Sequence, residues 1–156
     1  MKISKKFEPL IAGFSASIII AVLAFLSFET STGYWLMISF GASTLIVCVL
    51  HDKEFAQPGN IFFGHLLGIS IGILINEFMG VSFISIALAV GFTVTLMMYL
   101  RVLHPPAAAN PLIALFGDVS IDYIFSPVIT GSLVIIIISV IINKLILKRN
   151  YPTRWL

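Results

Sequence analysis

Residues 101–111 read Arg-Val-Leu-His-Pro-Pro-Ala-Ala-Ala-Asn-Pro and lie between two apolar stretches of membrane-crossing length. No other segment restricts the fold so tightly. Pro105 and Pro106 remove two backbone donors and fix φ, which an ordinary helix does not tolerate in its interior. In lipid, irregular backbone survives only where protein buries it or a watery cavity solvates it. A broken helix, with His104 before the break and Asn110 within it, therefore points to a polar site at membrane depth.

The rest of the chain reads as membrane. Hydrophobic residues make up 59% and charged residues 10%, far from soluble averages, and stretches 9–28 and 123–142 hold no charge at all. A crossing helix needs about 20 mostly apolar residues. Five segments qualify by pattern, at roughly 9–28, 34–50, 60–79, 82–100 and 122–147; the sixth, 104–117, is short and proline-rich. The expectation is an all-α membrane protein of about six spans in one transmembrane domain, 1–156, with a short or broken fifth segment. Lys2, Lys5 and Lys6 followed by apolar 9–28 imitate a secretory signal; the apolar part is too long for one, so it reads as an uncleaved first helix. Cys48 is the single cysteine, so no intrachain disulfide can form, and it reads as inert packing.

Charge placement sets topology. With six crossings and a cytoplasmic N-terminus, Lys2, Lys5, Lys6, Lys53, Arg101, Lys144, Lys148, Arg149 and Arg154 all fall inside. Glu29, Glu77, Asp118 and Asp122 fall outside, with no basic residue among them. A re-entrant 104–117 would move the last basic cluster outside, so six crossings with both termini cytoplasmic are preferred. Six spans invite a three-plus-three inverted repeat, whose second members, 34–50 and 104–117, are both polar or interrupted. Interrupted segments at matching positions of two halves point to a transport site.

Gly64, Gly68 and Gly72 recur every fourth residue, and Asn60 and Asn76 extend the spacing. Small residues so placed let membrane helices approach closely. Packing within one subunit is the preferred use, a subunit interface the alternative. Gly13, Ser17 and Ala21 in the first span, and Ala87, Gly91 and Thr95 in the fourth, offer further contact stripes. The run Leu133–Ile138 is bulky and apolar all round, which places the sixth span at the lipid-facing rim.

Chemistry must come from few residues. Pro58 and Pro105 suit helix starts, where a missing N–H costs nothing. Helix N-termini attract anions. Gly41, Ser43, Asn60, His65, His104, Pro105, Pro106 and Asn110 are the candidate substrate path, with Thr44 a further donor. Each polar residue could equally be interhelical glue; together, polar groups inside spans favour a pathway. Histidines and neutral donors without buried Lys or Arg suit a small monovalent anion, and a neutral solute also fits. His51-Asp52-Lys53-Glu54 reads as a solvated turn, and no metal-ligand spacing, catalytic set, cofactor loop or nucleic-acid patch is present in the sequence.

Ser39-Phe40-Gly41-Ala42-Ser43, Gln57-Pro58-Gly59-Asn60 with Gly64-His65, and His104-Pro105-Pro106-Ala107-x-Ala109 resemble, in order, the three signature blocks of the HPP family of integral membrane proteins. The resemblance covers roughly residues 10–145. It implies a small multi-helix protein of a bacterial inner membrane. Plant chloroplast and cyanobacterial members are linked to nitrite transport, which makes nitrite the first anion to consider. Some bacterial members carry a regulatory domain pair after the membrane part, which residues up to 156 do not contain.

Three further readings compete with a small-anion transporter or channel: a carrier of another solute, a membrane scaffold, and a membrane enzyme. A scaffold would bury the motifs as dry packing, a transporter should bring a hydrated cavity to them, and an enzyme should hold a metal or cofactor. The implied partners are membrane lipid and a small solute, and six short spans make a thin bundle that leaves room for a homo-oligomer.

Overall fold

The computed structural model describes residues 6–155; Lys2 and Lys5 lie outside the described residues. All regular structure among them is helical, in six helices. These are α1 (Glu8–Phe28), α2 (Ile38–Val49), α3 (Pro58–Met79), α4 (Phe83–Tyr99), α5 (Asn110–Gly117) and α6 (Thr130–Val140). The six expected spans are all present as helices, with instructive differences at their ends. Residues 34–37 run outside the helix, so α2 is only 12 residues long. The fifth span opens with a 3-10 stretch, Pro105–Ala109, before α5 begins. The sixth is kinked: Ser126 leaves helical geometry (φ −136°, ψ 116°) ahead of Pro127, and wide π-type turns flank α6 at Ile124–Ile129 and Ile141–Ile146.

The predicted proline starts hold. α3 begins at Pro58 with Gln57 as its extended N-cap, and the 3-10 stretch begins at Pro105 after His104. α4 begins with a reciprocal cap, in which the Ser82 hydroxyl accepts from the Ser85 N–H and the Ser85 hydroxyl accepts from the Ser82 N–H.

The helices sort into two triplets. α1, α2 and α6 pack together, as do α3, α4 and α5, and the triplets join through α3–α6 and through α2 against residues 105–109. The third helix of each sequence half thus packs on the first two of the other half. The halves also correspond in kind: α1 and α4 carry narrow buried stripes, α2 and the fifth span are short, and α3 and the sixth span are long.

The glycine stripe of α3 is spent inside the subunit. It runs alongside the whole fifth span: Gly64 faces His104, Gly68 faces Ala107 and Asn110, and Gly72 faces Pro111 and Ala114. At the far end the Asn76 amide donates to Asp118 at 2.8 Å. A methyl at Gly72 would lie 2.6 Å from Pro111 Cα and 2.7 Å from Ala114 Cβ, so only hydrogen fits.

Inside the subunit three helix faces differ from expectation. Gly13, Ser17 and Ala21 are exposed, and α1 buries Ser15, Ile19 and Leu23 instead. Ala87, Gly91 and Thr95 are exposed too, while Ser85, Ala89, Thr93 and Met97 turn inward. The sixth span is not at the rim: Gly131, Ser132, Ile135, Ile136, Ser139 and Asn143 are buried. Gly131 sits against Phe40 and the Trp35 carbonyl, and Asn143 donates to the Val47 carbonyl at 3.1 Å. The isoleucine run hid a small polar stripe, because one face of a helix suffices for packing whatever the other faces carry.

Candidate functional site

Where α2, α3 and the start of the fifth span meet, five polar side chains are buried together: Ser39, Ser43, His65, His104 and Asn110. Gly64 makes this possible, since a methyl there would stand 2.8 Å from His104 Cβ. The Ser43 hydroxyl lies 2.8 Å from His65 Nε2 and 2.8 Å from His104 Nε2. The imidazole centroids are 4.9 Å apart, and Phe40 closes the other side of His65 edge-on at 5.0 Å. His104 Nδ1 is 2.7 Å from the Phe55 carbonyl oxygen. The Asn110 amide nitrogen is 3.0 Å from His65 Nδ1 and 2.9 Å from the His65 carbonyl. The Ser39 hydroxyl donates to Asn110 Oδ1 at 2.8 Å.

These contacts fix every proton when both rings are neutral. A carbonyl only accepts, so His104 Nδ1 carries the hydrogen given to Phe55 and its Nε2 accepts from Ser43. The Asn110 amide nitrogen only donates, so His65 Nδ1 accepts and its Nε2–H donates to Ser43. The carbonyl of His65 also fixes the amide, because a flipped Asn110 would set oxygen against oxygen. The result is a one-way chain from Ser39 through Asn110, His65, Ser43 and His104 to the Phe55 carbonyl. All its members are neutral and satisfied, as burial at membrane depth requires.

The fifth span is too short for the membrane. Five 3-10 residues and eight α-helical residues extend about 22 Å, against roughly 30 Å of hydrocarbon. A recess opens near each end. Near its start is a cavity of about 470 Å³ lined by Glu54, Phe55, Asn60, Arg101, Leu103 and Arg154, among others. Near its end is one of about 660 Å³ lined by Ser70, Asn76, Glu77, Asp118 and Ser120, with apolar neighbours. The histidine cluster lies between them, closed to solvent.

The candidate residues divide accordingly. Ser43, His65, His104 and Asn110 come together. Pro106 is buried beside them and Pro105 is exposed. Gly41 faces away from the cluster, exposed, with nothing near where a side chain would be. Asn60 lies nearer the surface, donating to the Leu103 carbonyl at 2.9 Å and accepting from Arg154 at 3.2 Å. The cavity therefore reaches Asn60 but not the histidines.

Sequence reasoning missed several participants. Ser39 sits inside a quoted motif and could have been found by its spacing of four from Ser43. The Phe55 carbonyl carries no sequence signal. Gln57 serves residues 151–154: its Oε1 accepts from the Thr153 N–H at 2.8 Å, while its amide donates to the His51 and Lys53 carbonyls at 3.0 and 2.8 Å. The buried Tyr151 hydroxyl donates to the Ala56 carbonyl at 2.9 Å, and burial raises its pKa above the usual phenol range. His51 stays apart, in the turn after α2; partial burial and then the Arg149 charge hold its pKa below the ordinary value.

Across residues 2–152 the sequence matches the transmembrane region of the HPP family. It also resembles two transmembrane proteins of Dictyostelium discoideum. One is 29% identical over 153 residues, covering 93% of this chain and 54% of the relative; the other is 30% identical over 152 residues, covering 90% and 49%. The chain thus spans about half the length of these curated relatives. No solved structure matches it significantly. The chain belongs to the HPP transmembrane family and is an integral membrane protein.

Proposed function

We propose that this HPP-family protein carries a small monovalent anion across the membrane, nitrite first among candidates, and is not an enzyme. The observation that carries the reading is the buried Ser43–His65–His104–Asn110 cluster lying between two recesses at the ends of a span too short to cross alone. The donors are neutral and already oriented. An anion entering between them would take over the hydrogens now given to Asn110, Ser43 and the histidine nitrogens. Neutral donors replace part of a hydration shell without a fixed countercharge, so binding stays weak enough for release. The closed cluster corresponds to the occluded step, and α2 against residues 105–109 is the seam that must part. Both termini are read as cytoplasmic, so the arginine-lined recess faces inward. The exposed stripes on α1 and α4 offer a surface where copies of the protein could associate.

A static scaffold is the second reading, favoured by the same dryness: every polar side-chain contact in the cluster is met by protein. Nitrite flux in proteoliposomes separates the two. Transport expects clear wild-type flux that falls at least tenfold in His65→Ala, His104→Ala and Asn110→Ala proteins that remain folded. Unchanged flux in all three moves the path elsewhere. No flux of any small anion leaves the scaffold.

A further inference from the structure

We infer that the recess near the start of the fifth span is an oxyanion-binding site built by Arg101 and Arg154. The inference does not depend on transport. Both arginines line one cavity of about 470 Å³, and Asn60 lines it too, with one amide hydrogen given to the Leu103 carbonyl. The remaining walls are Glu54 and the apolar Phe55, Met97, Met98 and Leu103. Apolar walls keep the local dielectric low, which strengthens attraction between a bound anion and the two charges.

The arginines are held there by local structure. Arg101 follows α4 at φ +57°, the left-handed position where glycine is favoured. The helix closes around it in a paired turn: the Val102 N–H donates to Met97 at 2.9 Å and the Arg101 N–H to Met98 at 3.1 Å. Among the described residues no acid lies within ion-pair distance of Arg101. Arg154 is kept at the cavity because Gln57 holds Thr153 and the Ala56 carbonyl holds Tyr151.

Arg154 is incompletely used. One Nη2–H goes to Asn60 Oδ1 at 3.2 Å, and Nη1 is 3.9 Å from Glu54, an acid 84% exposed and held loosely. Its Nε–H is buried and has no partner. A guanidinium has five donors in a planar fork that fits a carboxylate, nitrite or phosphate edge. Two positive charges against one loosely paired acid, with spare donors on both, select a negative ligand with two or more oxygens.

Such oxygens come from a free oxyanion or from the phosphodiester of an anionic lipid, since basic pockets between membrane helices take lipid headgroups. The test uses purified protein in a neutral detergent at fixed ionic strength. One arm titrates sodium nitrite and sodium phosphate by calorimetry. The other counts bound phosphatidylglycerol against phosphatidylcholine by native mass spectrometry. The inference expects binding in at least one arm, weakened tenfold or more by Arg101→Gln and by Arg154→Gln, and unchanged by Lys144→Gln, which lies outside the cavity. Glu54→Gln should tighten binding two- to threefold by removing the competing acid. The arm that responds identifies the source. If Arg154→Gln melts early because residues 151–154 come loose, Arg101→Gln still decides. No binding in either arm, binding that ignores Arg101→Gln, or equal loss with Lys144→Gln overturns the site.

Discussion

A single methyl group at Gly68 should loosen the molecule and disarm the cluster together. An alanine Cβ there would stand 2.5 Å from the Ala107 carbonyl oxygen and 3.1 Å from Asn110 Cβ. Ordinary contact begins at 3.4 Å, so α3 and residues 105–110 must part by roughly 0.9 Å. The obstacle is backbone, which cannot swing aside as a side chain would. Parting by that much lengthens the Asn110 bonds to His65 from 3.0 and 2.9 Å towards 3.8 Å, where they cease to be hydrogen bonds. Overpacking costs about 1–3 kcal/mol and the two bonds about 1 kcal/mol each, so Gly68→Ala should cost ~3–5 kcal/mol in all. For a chain of this size that lowers the melting temperature by roughly 6–20 °C. Gly91→Ala is the control, because nothing lies within 4 Å of the methyl it adds. The assay is thermal unfolding in detergent with wild type, Gly68→Ala and Gly91→Ala side by side. If Gly68→Ala melts with the control, the close approach of α3 to the fifth span is wrong, and so is the geometry of the histidine cluster.

The six-crossing topology predicts that single cysteines at Asp118 and Lys148, in a Cys48→Ser background, label from opposite sides of the membrane; labelling from one side means that 104–117 does not cross. His51 predicts a pH effect on stability. Its folded pKa lies below the ordinary value, so acid protonates the unfolded chain first. The contribution is complete above the unfolded pKa near 6.5 and is lost as pH falls from there towards the lower folded value. Melting temperature should therefore drop between pH 7 and pH 5 by more in wild type than in His51→Gln. Equal slopes would mean that Arg149 and burial do not act on this ring.

Helix number and the break were legible because their causes are local. Proline removes donors wherever it stands, and a long apolar run favours a helix in lipid wherever it stands. Histidine and asparagine beside the break were found for the same reason: polar groups in apolar runs need partners. Helix rotation was not legible. In water a helix declares its inner face by being apolar there and polar outside. In lipid both faces are apolar, and small residues spaced by four recur on either. On α4 the exposed Ala87, Gly91 and Thr95 and the buried Ser85, Ala89, Thr93 and Met97 share one spacing, two residues out of phase. On α3 the glycines face the fifth span, and neighbouring His65 and Asn60 find protein partners too.

The hydrogen-bond chain has a direction, and direction limits what it can do. With both rings neutral it ends on the Phe55 carbonyl, which can pass no proton on, so at rest the chain is a stop rather than a wire. A proton arriving at His65 Nδ1 would have to displace the Asn110 amide, because that nitrogen is the accepting one. An anion entering the cluster meets the same amide, whose hydrogens are spent on His65. Either visitor must turn Asn110, and turning it also frees Ser39 on α2. The asparagine within the broken span is therefore where protonation, anion binding and the parting of α2 from residues 105–109 would be coupled. Asn110→Asp should separate these roles. It keeps the size and the bond from Ser39, but an ionised aspartate only accepts. It would reverse the tautomer of His65, whose Nδ1–H would then donate and whose Nε2 would accept. Ser43 would face two accepting nitrogens with one hydrogen, and the His65 carbonyl would lose its donor. A protein that stays folded yet loses flux in Asn110→Asp, with flux partly recovered on acidification as the carboxyl regains a proton, fits this coupling. Flux indifferent to that substitution would leave Asn110 as packing alone.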